Sequence, residues 1–325
     1  MSLTRFPHGI LATPNLGGSM MTQGNIFFVK PSSGNDGNAG DTPNTAFKTL
    51  AKALSAATAN QNDIVYMFQE SNTASKTTDY QDVPLDWNKD SVHLVGVGAA
   101  SGLFLGQRCR IANLSTAASA STLMTVSANN CIISGIELFH QAGGDDLSAA
   151  QIALTVSGQR NLFSNCQISG VGDATLDTSG SASLSIAGAE NMFKDCYIGL
   201  DTVLRAEAIA EVYLSTNATR TVFENCIINS YTSGTTFKAM NFAAGSYHTA
   251  TWLNRCMITN ALNRTSVVTT TGAISAPTSG TVYINGGGVF GYTNVTTANS
   301  VNVYVSAPIL GTGIKQGVAG PVLIS

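Results

Sequence analysis

Asn161-Leu-Phe-Ser-Asn-Cys-Gln-Ile168, Asn191-Met-Phe-Lys-Asp-Cys-Tyr-Ile198, Thr221-Val-Phe-Glu-Asn-Cys-Ile-Ile228 and Thr251-Trp-Leu-Asn-Arg-Cys-Met-Ile258 are four copies of one phrase, each thirty residues after the last. Cys166, Cys196, Cys226 and Cys256 therefore fall on a fixed period. Thirty further on stands Thr281-Val-Tyr-Ile-Asn-Gly-Gly-Gly288, with glycine where the cysteine and isoleucine would be. Thirty back from Phe163, Asn165, Cys166 and Ile168 stand Ile133, Gly135, Ile136 and Leu138, so the register covers at least six units. A period of this size marks a repeat architecture in which each unit buries its apolar face only against its neighbours.

Within a unit, Cys166 and Ile168 are two apart, the period of a strand with one buried face. Phe163 and Cys166 are three apart, which breaks the alternation and requires a bend. The bend falls on Gly135, Asn165, Asp195, Asn225, Arg255 and Asn285, and Gly, Asn and Asp tolerate a left-handed backbone. Arg255 departs from that rule and predicts a somewhat different coil. A second strand occupies the other half of each unit, in Ala153–Ser157, Ser183–Ala187, Val212–Leu214 and Met240–Phe242, set off by turns such as Gly158-Gln159-Arg160. Short strands and bends with no three-and-four apolar spacing describe one rung of a parallel β-helix. About eight rungs at about 4.8 Å would make a rod on the order of 40 Å long. The cysteines then form an internal ladder of reduced thiols, since free cysteine is among the most buried residue types. Close-spaced cysteine pairs and in-phase histidines, which a metal site would need, are missing. Cys109 and Cys131 fall outside this period and receive no role.

An open-ended β-helix must be covered. Thr42 to Ala57 carries apolar residues at Phe47, Leu50, Ala51, Leu54 and Ala57, an amphipathic helix that suits a cap. It follows the Gly/Asn/Asp-rich stretch Ser33 to Asp41 and the strand-like Ile26-Phe-Phe-Val-Lys-Pro31, and precedes Asp63-Ile-Val-Tyr-Met-Phe68. This order of strand, turn, aromatic-Lys-Thr-Leu helix and strand resembles the opening of the pectate-lyase-like right-handed β-helix superfamily, with Val92–Gly98 similar to its first full rung. The resemblance implies an all-β, right-handed parallel β-helix with an N-terminal capping α-helix and extended terminal arms. The expected organisation is an arm over residues 1–24, a strand, cap and first rung over 25–90, the β-helix over 91–300, and a C-terminal strand and tail over 301–325.

Only 11% of the 325 residues are charged, the net charge is −3, and Lys plus Arg number 16 with no basic run, so no nucleic-acid partner is expected. No apolar run reaches membrane-spanning length and no export signal opens the chain, so neither a membrane partner nor secretion is expected. Carboxylate pairs that could cut a glycosidic bond were weighed at Asp145/Asp146, Asp173/Asp177 and Glu207/Glu211. Gly144-Asp145-Asp146 resembles the paired aspartates of polygalacturonase-like enzymes, but the accompanying Gly-His-Gly and Arg-Ile-Lys elements are missing. All three pairs read as solvated loops, and His8, His93, His140 and His248 as isolated surface or turn residues. The expectation is a protein that is not an enzyme and carries no cofactor or metal.

The aperiodic arm contains Arg5, Phe6, Pro7 and His8, and Thr4-Arg-Phe-Pro-His-Gly9 resembles the start of a number of tailed-phage head proteins. That resemblance implies a virion structural protein, a capsid decoration or cement protein on the outer surface of the capsid. It would be a homotrimer whose arm grips the major capsid protein. The alternative is a phage tail spike or fibre that binds, and could cleave, host surface polysaccharide.

Overall fold

A computed structural model describes residues 24–70, 84–98, 109–112, 121–140 and 149–306, apart from 171, 207, 216, 244–246, 263–271, 276–278, 293 and 297–301. The chain is a parallel β-helix with three strand faces. The first face stacks Ile26–Val29, Ile64–Phe68, His93–Val97, Ile132–Ser134, Leu162–Ser164, Met192–Lys194 and Thr221–Glu224, then parts of Tyr247–Asn260 and Ser279–Phe290, then Val303–Ser306. The second stacks Cys109–Ala112, Ile136–Phe139, Gln167–Ser169, Tyr197–Gly199 and Ile227–Ser230, and joins the first through the long strand Tyr247–Asn260. The third is a six-stranded sheet from Leu85–Trp87 to Lys238–Phe242, and these six strands mark the turns of the helix. Every strand pairing in the three faces is parallel, and Leu162 sits in register with Ile132 and Met192, each thirty residues away.

The bend between the first two faces is where the spacing put it. Gly135 (φ 68°), Asn165 (51°), Asp195 (53°), Asn225 (51°) and Arg255 (53°) all take the left-handed conformation. Arg255 does not distort its coil. Its Nε donates to Asn225 Oδ1 at 2.7 Å and its Nη2 pairs with Glu224 at 2.8 Å, contacts that offset the modest cost of a left-handed arginine. The next bend is Gly286 (φ 71°) rather than Asn285, because the register slips by one: Thr251 pairs with Val282 and Trp252 with Tyr283. At Gly287 a Cβ would lie 1.8 Å from the Cys256 carbonyl oxygen, so no side chain can continue the cysteine column there. A second left-handed column, Asn130, Arg160, Glu190 and Arg220, closes the corner between the third and first faces.

The interior is built of like-on-like columns. Phe163, Phe193 and Phe223 stack with centroids 4.8 and 5.1 Å apart, and Leu253 continues their column. Cys166, Cys196, Cys226 and Cys256 lie beside them as buried free thiols. Each Sγ faces backbone carbonyls, for example that of Phe163 at 3.5 Å from Cys196, and burial holds the Cys196 thiol well above its ordinary pKa. Cys109 does have a place in this column: it stands in register with Ile136, one rung before Cys166. A gap of 27 residues instead of thirty hid it. Cys131 occupies the neighbouring column headed by Asn161 and Asn191, where Asn161 Oδ1 accepts from the N–H of Cys131 and Asn191 Oδ1 from that of Asn161.

The helix Leu50–Ala56 buries Leu50, Ala53 and Leu54 against the first two strands. It starts where Thr49 caps the N–H of Lys52, and Asp36 accepts from the N–H groups of Lys48 and Thr49. None of the helices among the described residues is long and apolar enough to cross a membrane.

Candidate functional site

Arg5, Phe6, Pro7 and His8 lie outside the described residues, as do Asp145, Asp146 and Glu207. Asp173 closes a local turn by accepting from the N–H and hydroxyl of Thr175, and Asp177 accepts from the N–H of Ala208, so neither faces a partner acid. Glu211 is not exposed as its loop context suggested. It is fully buried beneath the corner between the second and third faces, where Arg205 Nε donates to Oε1 at 2.9 Å and Ser183 Oγ to Oε2 at 2.6 Å. His93 and His140 are also buried, not surface residues. His93 Nδ1 accepts from the N–H of Ile132 at 3.1 Å, and burial lowers its pKa.

The outer surface of the first face carries what sequence reading missed. Strand alternation sends Phe163 inward and Leu162 and Ser164 outward, and the parallel register repeats that choice on every rung. The first outward column runs Ile132, Leu162, Met192, Val222, Trp252, Tyr283, Tyr304. It begins aliphatic and ends aromatic. Trp252 stacks on Tyr283 with centroids 6.1 Å apart and planes 14° from parallel, and Tyr283 stacks on Tyr304 at 5.8 Å and 22°. Tyr283 is 40% and Tyr304 56% exposed. The second outward column, two residues on, ends in Asn254, Asn285 and Ser306, so the last three rungs each pair an aromatic ring with an amide or hydroxyl. Ser306 Oγ lies 2.7 Å from Asn285 Oδ1.

Charged ladders border this face. On one side Glu190 takes Arg160 at 2.6 Å and Arg220 at 2.5 Å, contacts that hold its carboxyl below the usual pKa. On the other, Arg255 takes Glu224, and Asn225 Nδ2 donates to Asp195 at 3.1 Å. The arrangement is an apolar-to-aromatic ridge with polar flanks. It offers flat rings for stacking and side-chain amides for hydroxyl groups, with no cluster of His, Cys, Asp or Glu among the described residues able to hold a metal.

No protein-family model matches the chain, and no curated protein matches its sequence. Among solved structures, it is similar to the pectin methylesterase of Aspergillus niger at 15% identity and a TM-score of 0.51, covering 92% of this chain and 93% of that one. It is also similar to pectate lyase Pel9A at 13% identity and a TM-score of 0.50, covering 87% and 79%. At this identity the likeness is one of fold. It overturns one expectation even so. The exclusion of enzyme function rested on missing motifs of a single carboxylate arrangement, whereas both structures whose fold this chain shares are named as enzymes. The architecture therefore accommodates catalysis, and the chain takes its place among parallel β-helices of the pectin methylesterase and pectate lyase type by fold.

Proposed function

We propose that this chain binds an extended polysaccharide along the outer surface of its first face, in the receptor-recognising role of a phage tail spike or fibre. The observation that carries the reading is the stacked, exposed column Trp252–Tyr283–Tyr304 with Asn254, Asn285 and Ser306 beside it. A sugar ring presents an apolar C–H face that packs on an aromatic ring, and a rim of hydroxyls that an amide can both donate to and accept from. Rungs repeat at about 4.8 Å, so successive residues of a glycan running along the helix axis would meet equivalent groups. A fold shared with proteins named for pectin fits a polysaccharide ligand. The capsid decoration reading depends on Arg5, Phe6, Pro7 and His8, and nothing in the described rungs favours it.

The test is co-sedimentation and calorimetry with host capsule and lipopolysaccharide. Tyr283→Ala and Tyr304→Ala should each weaken binding about tenfold while the far-ultraviolet spectrum stays unchanged. Undiminished binding by the double variant would remove the aromatic column from the reading. Reducing-end release and ester cleavage measured in the same samples decide separately whether the bound chain is also processed.

A further inference from the structure

The charge inventory of the same face says what kind of glycan it takes. Resting on the polysaccharide reading above, we infer that the ligand is a neutral glycan, not a uronate or other anionic polymer. The three aromatic rungs present Trp252 with Asn254, Tyr283 with Asn285, and Tyr304 with Ser306, and none of these side chains carries a charge at neutral pH. The nearest cations are already paired. Arg255 is held by Glu224 at 2.8 Å and by Asn225 at 2.7 Å, and Arg220 and Arg160 share Glu190. Lys194 stands in register with Glu224 on the next rung.

An anionic polymer laid along this ridge would bring a carboxylate to each sugar unit. Each would have to shed water without a cation in place, or pull an arginine away from the carboxylate it already holds, and both are unfavourable. Repulsion from Glu190, Glu224 and Asp195, which line the two borders, adds to the cost.

Hydroxyl recognition meets no such obstacle. The side-chain amide of Asn254 makes no hydrogen bond among the described residues, and Asn285 uses only its Oδ1, toward Ser306, leaving its Nδ2 without a partner there. Two stacked primary amides one rung apart offer donors and acceptors together, the complement of vicinal hydroxyls. A carboxylate, which only accepts, would use half of that capacity.

The experiment is binding of the full chain to an array of neutral polymers (dextran, mannan, galactan, mixed-linkage glucan, neutral O-antigens) beside anionic ones (polygalacturonate, hyaluronate, polysialate), repeated from about 0.05 to about 0.5 M salt. Expected is binding to at least one neutral polymer, unchanged within about twofold across that range, and none to the anionic set. Glu224→Gln, which releases Arg255 beside Asn254, should then create weak, salt-sensitive binding to polygalacturonate while neutral binding persists. Binding confined to anionic polymers, or binding that falls about tenfold or more with salt, would overturn neutral selectivity and leave polysaccharide binding standing. Failure to bind any polymer would overturn the polysaccharide reading itself, and with it this one.

Discussion

Glu211→Ala should be among the most damaging single substitutions in this chain, although it removes only one side chain from outside the hydrophobic core. Arg205 and Glu211 have side-chain exposures of 1% and 0%. Arg205 Nη2 also donates to the Gly170 carbonyl at 2.5 Å, and the Arg205 backbone bridges to Thr232 of the following rung, so the pair ties one corner loop to three coils. Removing the carboxylate leaves a guanidinium with no counter-charge where water does not reach, and leaves the Ser183 hydroxyl without its acceptor. Breaking a buried pair in this way costs about 3–5 kcal/mol. With an m-value of about 3 kcal/mol/M, the urea midpoint should fall by about 1 M or more. Replacing both residues with apolar groups of similar volume, Arg205→Met with Glu211→Leu, removes both desolvated charges and should restore most of the loss, to within about 1–2 kcal/mol of the parent. Equilibrium unfolding followed by the emission of Trp87, fully buried in an early rung, and Trp252, at the far end, reads the effect at both ends of the rod. A cost below about 1 kcal/mol for Glu211→Ala, or a double variant as unstable as the sum of the singles, would mean that the corner is wet and the pair merely a surface contact.

Three other outcomes follow from the same coordinates. Phe193→Ala opens a hole between Phe163 and Phe223 and should cost about 3–5 kcal/mol in the same unfolding assay, against less for Cys196→Ala. Thiol labelling of Cys166, Cys196, Cys226 and Cys256 should be slow in the native protein and complete after unfolding, since each is buried; rapid native labelling of Cys196 would contradict the inward column. His93 has a pKa lowered by burial, and protonating Nδ1 would break its bond to Ile132, so the unfolded chain binds the extra proton more readily. The stabilisation this neutral His93 gives is thus present above its unfolded pKa of about 6.5 and lost as pH falls below it, a slope that His93→Gln should flatten in thermal melts from about pH 7.5 to 5.

The thirty-residue period made the core readable because a β-helix stacks equivalent positions directly, so one phrase fixes the inward column of every rung. Phe163, Cys166 and Ile168, and the bend at Asn165, needed no more than their spacing. Where the spacing changes, that information fails. One inserted residue after His248 moves the partner of Thr251 from Thr281 to Val282, and a threonine in either register looks equally plausible in the sequence. Cys109 disappeared from its own column through a rung of 27 residues. Glu211 was misjudged because its burial depends on Arg205, six residues upstream in a corner loop with no period at all. The aromatic ridge was half legible. Trp252 and Tyr283 each precede an inward residue and so had to face outward, but the steps of 31 and 21 residues that link Trp252, Tyr283 and Tyr304 obey no repeat.

An exposed aromatic stripe could be an indifferent by-product of stacking apolar side chains on both sides of a strand, and the two ends of the first face decide against that. At its N-terminal end the outward columns are also apolar: Ile26 and Ile64 in one, Phe28, Tyr66 and Val95 in the other, with the Phe28 and Tyr66 rings 5.9 Å apart. There the protein keeps them from water, with Tyr66 at 1% and Phe28 at 7% exposure, as a second apolar cluster joined by Ala46 of the capping segment. Along the same columns, Tyr283 and Tyr304 are left at 40% and 56%. Burying those rings would contribute on the order of 1.5–3 kcal/mol for each large side chain, and the chain shows at its other end that it can cover such a surface. Stability alone favours covering both ends. The open one is where the same ring stacking meets unpaired amides and no net charge, the combination a neutral glycan requires.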